Sequence, residues 1–467
     1  MIPAQRLSRR DMLKLSGTGF GSIALAALLA DEAPAADAPS TNPLAVRRPH
    51  HMARAKRCIF LYMPGGPSQL DLFDPKPRLA RDNGKPLPFE KPKLERTKTG
   101  NLLASPWKFA QHGRSGIPVS ELLPHTAGCV DDLCVIRSMV ADNINHTGAA
   151  LQMNTGEQAF SRPSLGAWLL YGLGSENQNL PGFVVVSPTA VFQGAPLWGA
   201  AFLPAAYQGT WVRDLKNPIA NLRDPANDLG RERDKLDVLR QLNDLHKQGK
   251  TIDGALEARI ASFELAFRMQ MEAPDAFDIE RETPATKKLY GLGDAATDLF
   301  GRQCLLARRL VERGVRFVQV YDAPANNAWD HHGGLRQNLP KRCAAVDRPI
   351  AALLKDLKAR GLLDDTLVVW GGEFGRTPTA EGNDGREHHP FGFTMWLSGG
   401  GVKGGMTYGA TDEFGWHAID KRVHIHDLHA TILHLMGIDH ERLTFRYAGR
   451  DYRLTDVHGR VVGEILA

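Results

Sequence analysis

The stretch VDRPIAALLKDLKARGLLDDTLVVWGGEFGRTP, Val346–Pro378, carries two hydrophobic periods in succession. Val346, Ile350, Leu353, Leu354 and Leu357 recur at helical spacing, and Gly361 offers the left-handed residue that stops a helix. The run Thr366–Trp370 is then continuously apolar and rich in β-branched residues, as in a strand covered on both faces. It breaks into Gly371-Gly372-Glu373-Phe374-Gly375-Arg376-Thr377-Pro378, a sharp loop that places a carboxylate and a guanidinium together. Helix, buried strand and polar loop in this order form one unit of a layered α/β fold.

Runs of the same kind recur at Cys58–Met63, Leu133–Met139, Phe183–Ser187, Val315–Tyr321 and Phe393–Leu397, with helical stretches between them. The alternation predicts a mostly parallel central sheet flanked by helices, with functional groups gathered on loops beyond the carboxyl ends of the strands. From about Asn221 to Ala276 strand signals are sparse and charges interleave with Leu236, Leu239, Leu242 and Leu245, so a helical insertion is expected there. The segment Gly399–Gly405 lacks the Lys-Ser/Thr ending of a phosphate-binding loop and is read as a turn.

The chain has 467 residues, 43% hydrophobic and 23% charged, the composition of a soluble globular protein. Its 57 Lys and Arg against 52 Asp and Glu leave only +5, which gives no reason to expect a nucleic-acid partner. Cys58, Cys129, Cys134, Cys304 and Cys343 are scattered without a CxxC pair, so a disulfide framework, a zinc ribbon and a c-type haem all lack support. Ser8-Arg9-Arg10-Asp11-Met12-Leu13-Lys14, the Gly-interrupted apolar run ending at Ala30 and the small residues Ala33-Pro34-Ala35 read as a twin-arginine export signal over residues 1–36. The apolar run is shorter than the roughly 20 residues of a spanning helix, so no stable membrane anchor is expected. The expected location is therefore the periplasm or the extracellular space. Residues 37–55, with Pro39, Pro43 and Pro49, read as a linker, and residues 56–467 as a single domain.

Three strand-end loops carry the chemistry. The first, Met63-Pro64-Gly65-Gly66-Pro67-Ser68-Gln69-Leu70-Asp71, is followed by Asp74, which opens an Asp-Pro turn; Asp71 suits either a metal-bound carboxylate or a structural role. In Trp329-Asp330-His331-His332-Gly333, Asp330 and His332 can turn toward one point, whereas the adjacent histidines diverge and leave one a bystander. The third loop holds Glu373 and Arg376, and Gly385-Arg386-Glu387-His388-His389-Pro390 adds imidazoles. Asp71, Asp330, His332, Glu373 and His388 make a mixed oxygen and nitrogen set that suits zinc, manganese or iron rather than soft copper sites. In His424-Ile425-His426-Asp427-Leu428-His429, Asp427 is expected to cap a helix over Leu428–Met436.

At these residues the chain resembles the large bacterial family of domain of unknown function 1501 and, through it, the alkaline phosphatase-like superfamily of phosphatases, sulfatases and cofactor-independent phosphoglycerate mutases. The resemblance runs from Lys56 to the end of the sequence and rests on GGPSQLDLFDPKP, NHTGAALQMNTG, PSLGAWLLYGLGSENQNLP, WDHH, GGEFGRTP, GREHH and HDLHATILHLMGID. It implies an alkaline phosphatase-like three-layer fold and a metal site. Asp71 looks like the first-strand ligand, Asp330 and His332 like a middle-loop pair, Glu373 like the carboxylate of a later Asp-His pair and His388 like the final histidine.

Two departures follow. Phe374 stands where the later pair has its histidine, which removes a nitrogen ligand. Asn145-His146-Thr147-Gly148 resembles the nucleophile loop of the mutases, with His146 at the serine position, and no Cys-x-Pro-Ser-Arg sulfatase signature occurs. His146 is read as a ligand that restores the nitrogen beside Asp71 and Glu373. Phosphoryl acceptance by His146, or attack by Thr147 or by a metal-activated water, stand as alternatives. Arg376 is expected either to clamp phosphate or sulfate oxygens or to close a salt bridge within its own loop. The implied function is an exported hydrolase of phosphate or sulfate esters that uses one or two divalent ions, with zinc, manganese, calcium and iron as candidates. Its expected partner is an anionic ester, sulfated and phosphorylated glycans included. The alternative, favoured by the missing nucleophile, is a non-catalytic envelope protein of the same fold that binds sulfated or phosphorylated polymers.

Overall fold

Burial on both faces makes the apolar runs into strands. The computed structural model describes residues 42–91, 97–215, 218, 229–247, 254–324 and 327–467. The export-signal reading over residues 1–36 and the start of the linker lie outside the described residues. Among the described residues nine strands build the central sheet: β1 (Arg57–Tyr62), β2 (Leu133–Val140), β3 (Phe183–Val186), β4 (Thr210–Val212), β5 (Phe317–Tyr321), β6 (Thr366–Gly371), β9 (Phe393–Ser398), β10 (Met406–Tyr408) and β11 (Val423–His424). A separate antiparallel hairpin of β7 (Gly375–Glu381) and β8 (Gly385–His389) stands between β6 and β9 in the chain. All six strands expected from the sequence form, each within two residues of its expected bounds.

The sheet order is β10-β2-β9-β6-β1-β5-β3-β4, with β11 also on β2. Only β9 runs against its neighbours, β6 and β2; the other pairings are parallel. Because β9 is antiparallel to both, β2 points the same way as β6, β1 and β5. The loops that follow these four strands therefore meet at one edge.

Alternate side chains leave each strand on opposite faces and define the layers. Ile59, Leu61, Val318, Val320, Val368 and Trp370 enter one core with the helices α3 (Asp298–Glu312) and α4 (Leu335–Ala359). Phe60, Tyr62, Phe317, Tyr321, Leu367 and Val369 enter the other with α2 (Leu165–Leu173) and α5 (Ile425–Leu435). The result is a helix–sheet–helix fold of three layers, within one compact unit that spans Pro43–Ala467. α1 (His146–Thr155) starts just beyond the carboxyl end of β2.

Gly361 follows α4 at φ +67°, the left-handed stop the sequence suggests, but the helix begins at Leu335 and runs through Pro340 and Pro349. In the insertion region two helices form, Leu229–Lys247 and Gly254–Phe277, and residues 221–228 and 248–253 lie outside the described residues. The cap of α5 differs from expectation: the helix starts at Ile425, His424 is the N-cap, and Asp427 sits at the third position, where it accepts from the His424 amide to close a capping box. All five cysteines are buried and free. No described helix is long and apolar enough to cross a membrane.

Candidate metal centre

Close packing of glycine turns brings the strand-end loops together. A side chain on Gly65, in the loop after β1 and at φ +112°, would come within 2.6 Å of the Asp330 amide. One on Gly385 would fall 1.8 Å from the His332 carbonyl. Both positions are small because the loop after β5 is pressed between the first-strand turn and the β7–β8 hairpin.

Four side chains from three of these places converge: His146 at the start of α1, Asp330 and His332 after β5, and His388 on β8. Their potential ligand atoms all lie within 4.8 Å of one another. His146 Nε2 is 3.0 Å from Asp330 Oδ2, His332 Nε2 is 2.9 Å from Asp330 Oδ1, and His388 Nε2 is 3.2 Å from the same oxygen. The Nε2 atoms of His332 and His388 are 3.0 Å apart.

The opposite nitrogen of each ring fixes its protonation. His146 Nδ1 faces Glu373 Oε1 at 2.7 Å, His332 Nδ1 faces Glu381, and His388 Nδ1 faces the Ile144 carbonyl at 2.6 Å. A carboxylate and a carbonyl only accept, so each Nδ1 carries the hydrogen and each neutral ring turns the lone pair of Nε2 inward. Three lone pairs and a carboxylate then face one another in a largely buried space. His146 Nε2, fully enclosed, makes no hydrogen bond of acceptable geometry. Such a set needs a cation or protons to be stable. The separations of 2.9–3.2 Å are close to the roughly 2.9–3.4 Å between neighbouring donors on an ion with bonds of about 2.0–2.1 Å. The residues fit a divalent metal.

Without a cation, protons take its place. Burial alone would raise Asp330, but the imidazoles of His146, His332 and His388 against it and the Arg376 guanidinium outweigh it and hold the carboxyl well below the usual range. Burial opposes a charge on His146, yet the Asp330 and Glu373 carboxylates on either side of the ring raise its pKa. His332 is raised chiefly by its bond to Asp330, while burial lowers His388.

Residues 55–466 match the family described as protein of unknown function, DUF1501. The chain belongs to the DUF1501 family. No curated protein matches this DUF1501 chain by sequence. Among solved structures it is similar to a protein of the alkaline phosphatase superfamily from Vibrio parahaemolyticus, with 10% identity, a TM-score of 0.39, and 92% of this chain and 75% of that one covered. It is also similar to the phosphonate monoester hydrolase of Silicibacter pomeroyi at 12% identity and TM-score 0.36, over 74% and 71% of the two chains. A third is the lipoteichoic acid synthase of Listeria monocytogenes, at 10% identity and TM-score 0.34, over 88% and 78%.

In this DUF1501 protein the other expected site residues sit elsewhere. Asp71 is outside the cluster: its carboxylate receives Arg386 in two-pronged fashion at 2.8 and 3.1 Å and Ser68 Oγ at 2.5 Å, with both charged side chains fully enclosed. Glu373 is one shell removed, where it accepts from His146, from the Gly65 amide at 2.9 Å and from the Tyr62 hydroxyl at 3.1 Å. Arg376 is spent on the Gly65, Gly66 and Arg386 carbonyls and on Asp330 Oδ1 at 2.6 Å, so its guanidinium is not open to a substrate anion. Thr147 is exposed at the start of α1, and its amide bonds the Asn145 side chain.

Phe374, which replaces the expected histidine, stacks on His388 with centroids 4.6 Å apart and lies 5.0 Å from His146. His146 thus supplies a nitrogen from another loop, beside Asp330 rather than Asp71. His331 is the bystander of its pair, a buried imidazole whose pKa burial pushes down to about 4. Three partners escaped the sequence reading: Arg386 opposite Asp71, and Glu381 and Glu387 beside His332. Glu387 lies within the quoted GREHH motif, but strict alternation turns it away from the neighbouring His388, and only the bulge between Arg386 and His388 brings it beside His332.

Proposed function

We propose that this protein is a metal-dependent hydrolase of phosphate or sulfate esters that works outside the cytoplasm. The observation that supports the reading is the convergence of three imidazole Nε2 atoms on Asp330, each imidazole locked at Nδ1 by an acceptor. His146, Asp330, His332 and His388 would hold a divalent ion there, which would supply Lewis acidity toward an ester oxygen and a water. The nitrogen-rich donors suit zinc, manganese or iron better than calcium, which favours oxygen ligands.

The chain's own residues bind and orient. Glu373 and Glu381 hold His146 and His332 in the tautomer that presents Nε2, and the Ile144 carbonyl does so for His388. Arg376 positions Asp330 instead of clamping the substrate. His332, with its side chain 32% exposed, is the most open member of the cluster, so an anionic ester approaches from its side. The twin-arginine motif in residues 1–36 supports export.

The test is metal content together with turnover of p-nitrophenyl phosphate and p-nitrophenyl sulfate by the metal-loaded protein and by His388→Ala. Turnover of either ester that depends on added zinc or manganese and drops at least about a hundredfold in the variant is expected. Bound metal without turnover of either ester would favour the second reading, a non-catalytic binder of sulfated or phosphorylated polymers. That reading draws its support from His146 at the serine position and from the fully committed Arg376.

A further inference from the structure

On the far side of His332 stands a second group whose charges do not balance. Glu381, at the end of β7, accepts from His332 Nδ1, and Glu387, on β8, places Oε1 3.8 Å from the same nitrogen. The possible donor atoms of these three side chains lie within 4.8 Å of one another. The two glutamates come together because the hairpin pairs Gly385 with Glu381 and then shifts register between Arg386 and His388, a bulge that re-aims the intervening side chain.

Glu387 is the decisive residue. Its side chain is 2% exposed; Oε1 accepts from the His388 amide at 2.8 Å, while Oε2 is buried with no hydrogen-bond partner. Among the described residues no lysine or arginine forms an ion pair with Glu381 or Glu387. The nearby guanidiniums are committed, Arg386 to Asp71 and Arg376 to Asp330. His332 Nδ1 is engaged by Glu381, which leaves the buried Glu387 carboxylate with one backbone amide and no cation, and an unpaired buried carboxylate oxygen is costly.

We propose that Glu381, Glu387 and His332 Nδ1 hold a second divalent cation, so that the His332 ring bridges two ions. The inference rests on the metal reading of the His146, Asp330, His332 and His388 cluster, since the first ion occupies Nε2 of the same ring. On binding, His332 Nδ1 would release its proton to solvent and turn its electron pair to the ion, and the enclosed Glu387 carboxylate would gain a counter-charge. Two carboxylates and one nitrogen select a divalent ion that tolerates oxygen donors, such as manganese or zinc.

The experiment strips the full-length protein with a chelator, reloads it with Mn2+ or Zn2+ and counts bound ions per chain by elemental analysis, for the parent, Glu387→Gln and Glu381→Gln. Two ions in the parent and one in each variant is the expected result. One ion in the parent, unchanged in the variants, overturns this inference and leaves the first site standing, with the glutamates sharing a proton instead. No ion in the parent overturns both readings. Two ions in the parent and two in both variants move the second ion away from these residues. Should Glu387→Gln fail to fold, Glu381→Gln carries the test, because that side chain is 12% exposed and donates nothing to the core.

Discussion

His146 donates its Nδ1 proton to Glu373 across 2.7 Å, and that bond determines which nitrogen the ring presents to Asp330. Glu373 is itself held by the Gly65 amide and Tyr62, so the ring cannot rotate without breaking a buried network. Glu373→Gln keeps an acceptor but removes the charge that makes Nε2 a better donor. Metal affinity should fall by about 10–100-fold with the fold intact. Competition against a chromogenic chelator measures it, and an unchanged affinity would detach Glu373 from the site.

Asp71 and Arg386 form a fully enclosed pair, so the two roles considered for Asp71 make opposite forecasts. As the partner of a buried guanidinium, Asp71→Ala leaves an uncompensated charge and should cost about 3–5 kcal/mol of stability. The number of ions bound per folded chain should not change. Denaturant unfolding and elemental analysis on one preparation separate the outcomes: loss of an ion at near-parent stability would return Asp71 to the ligand set.

Arg376 ties Asp330 to the Gly65–Gly66 turn and to β8. A lysine offers one compact charge in place of a planar fork and cannot reach all four acceptors at once. Arg376→Lys should therefore lower both stability, by about 2–4 kcal/mol, and metal affinity. Loss of ester affinity alone, with both of those quantities unchanged, would restore the anion-clamp role.

The strands and the layer order were legible because burial on both faces writes continuous apolar runs such as Thr366–Trp370, and these form where expected. Helix α4 was legible from Val346 onward but not at its start, since Pro340 and Pro349 mask a helix that packing against α3 sustains. Four of the expected ligands, His146, Asp330, His332 and His388, converge, because each follows or precedes a strand at the same edge. The fate of Asp71 and Arg376 was not legible. Both stand at the right edge, and only the spatial pairing with Arg386 and with loop carbonyls, more than 300 residues away in sequence for Asp71, decides that they support the loops. Sequence spacing reports which edge a residue occupies, not which neighbour reaches it first.

Asp322, at the end of β5, gives the protein a pH dependence that can be isolated. Its buried carboxylate accepts from Trp329 Nε1 at 2.8 Å and lies 3.7 Å from Arg342, but burial dominates and pushes its pKa from 3.8 up to about 6. A carboxyl raised in the folded state binds its proton more tightly there than in the unfolded chain. The folded state is thus favoured below pH 3.8, and that advantage is lost as pH rises to about 6. Above that pH the ionised group costs on the order of 3 kcal/mol, from about two units at 1.36 kcal/mol each. Asp322→Asn keeps an acceptor for Trp329 and has no charge to bury, although Arg342 loses a partner. The variant should exceed the parent by about 1–3 kcal/mol at pH 8 and match it near pH 4. Urea unfolding of both proteins across that range measures the difference, and a gap that stays constant with pH would remove Asp322 as its source.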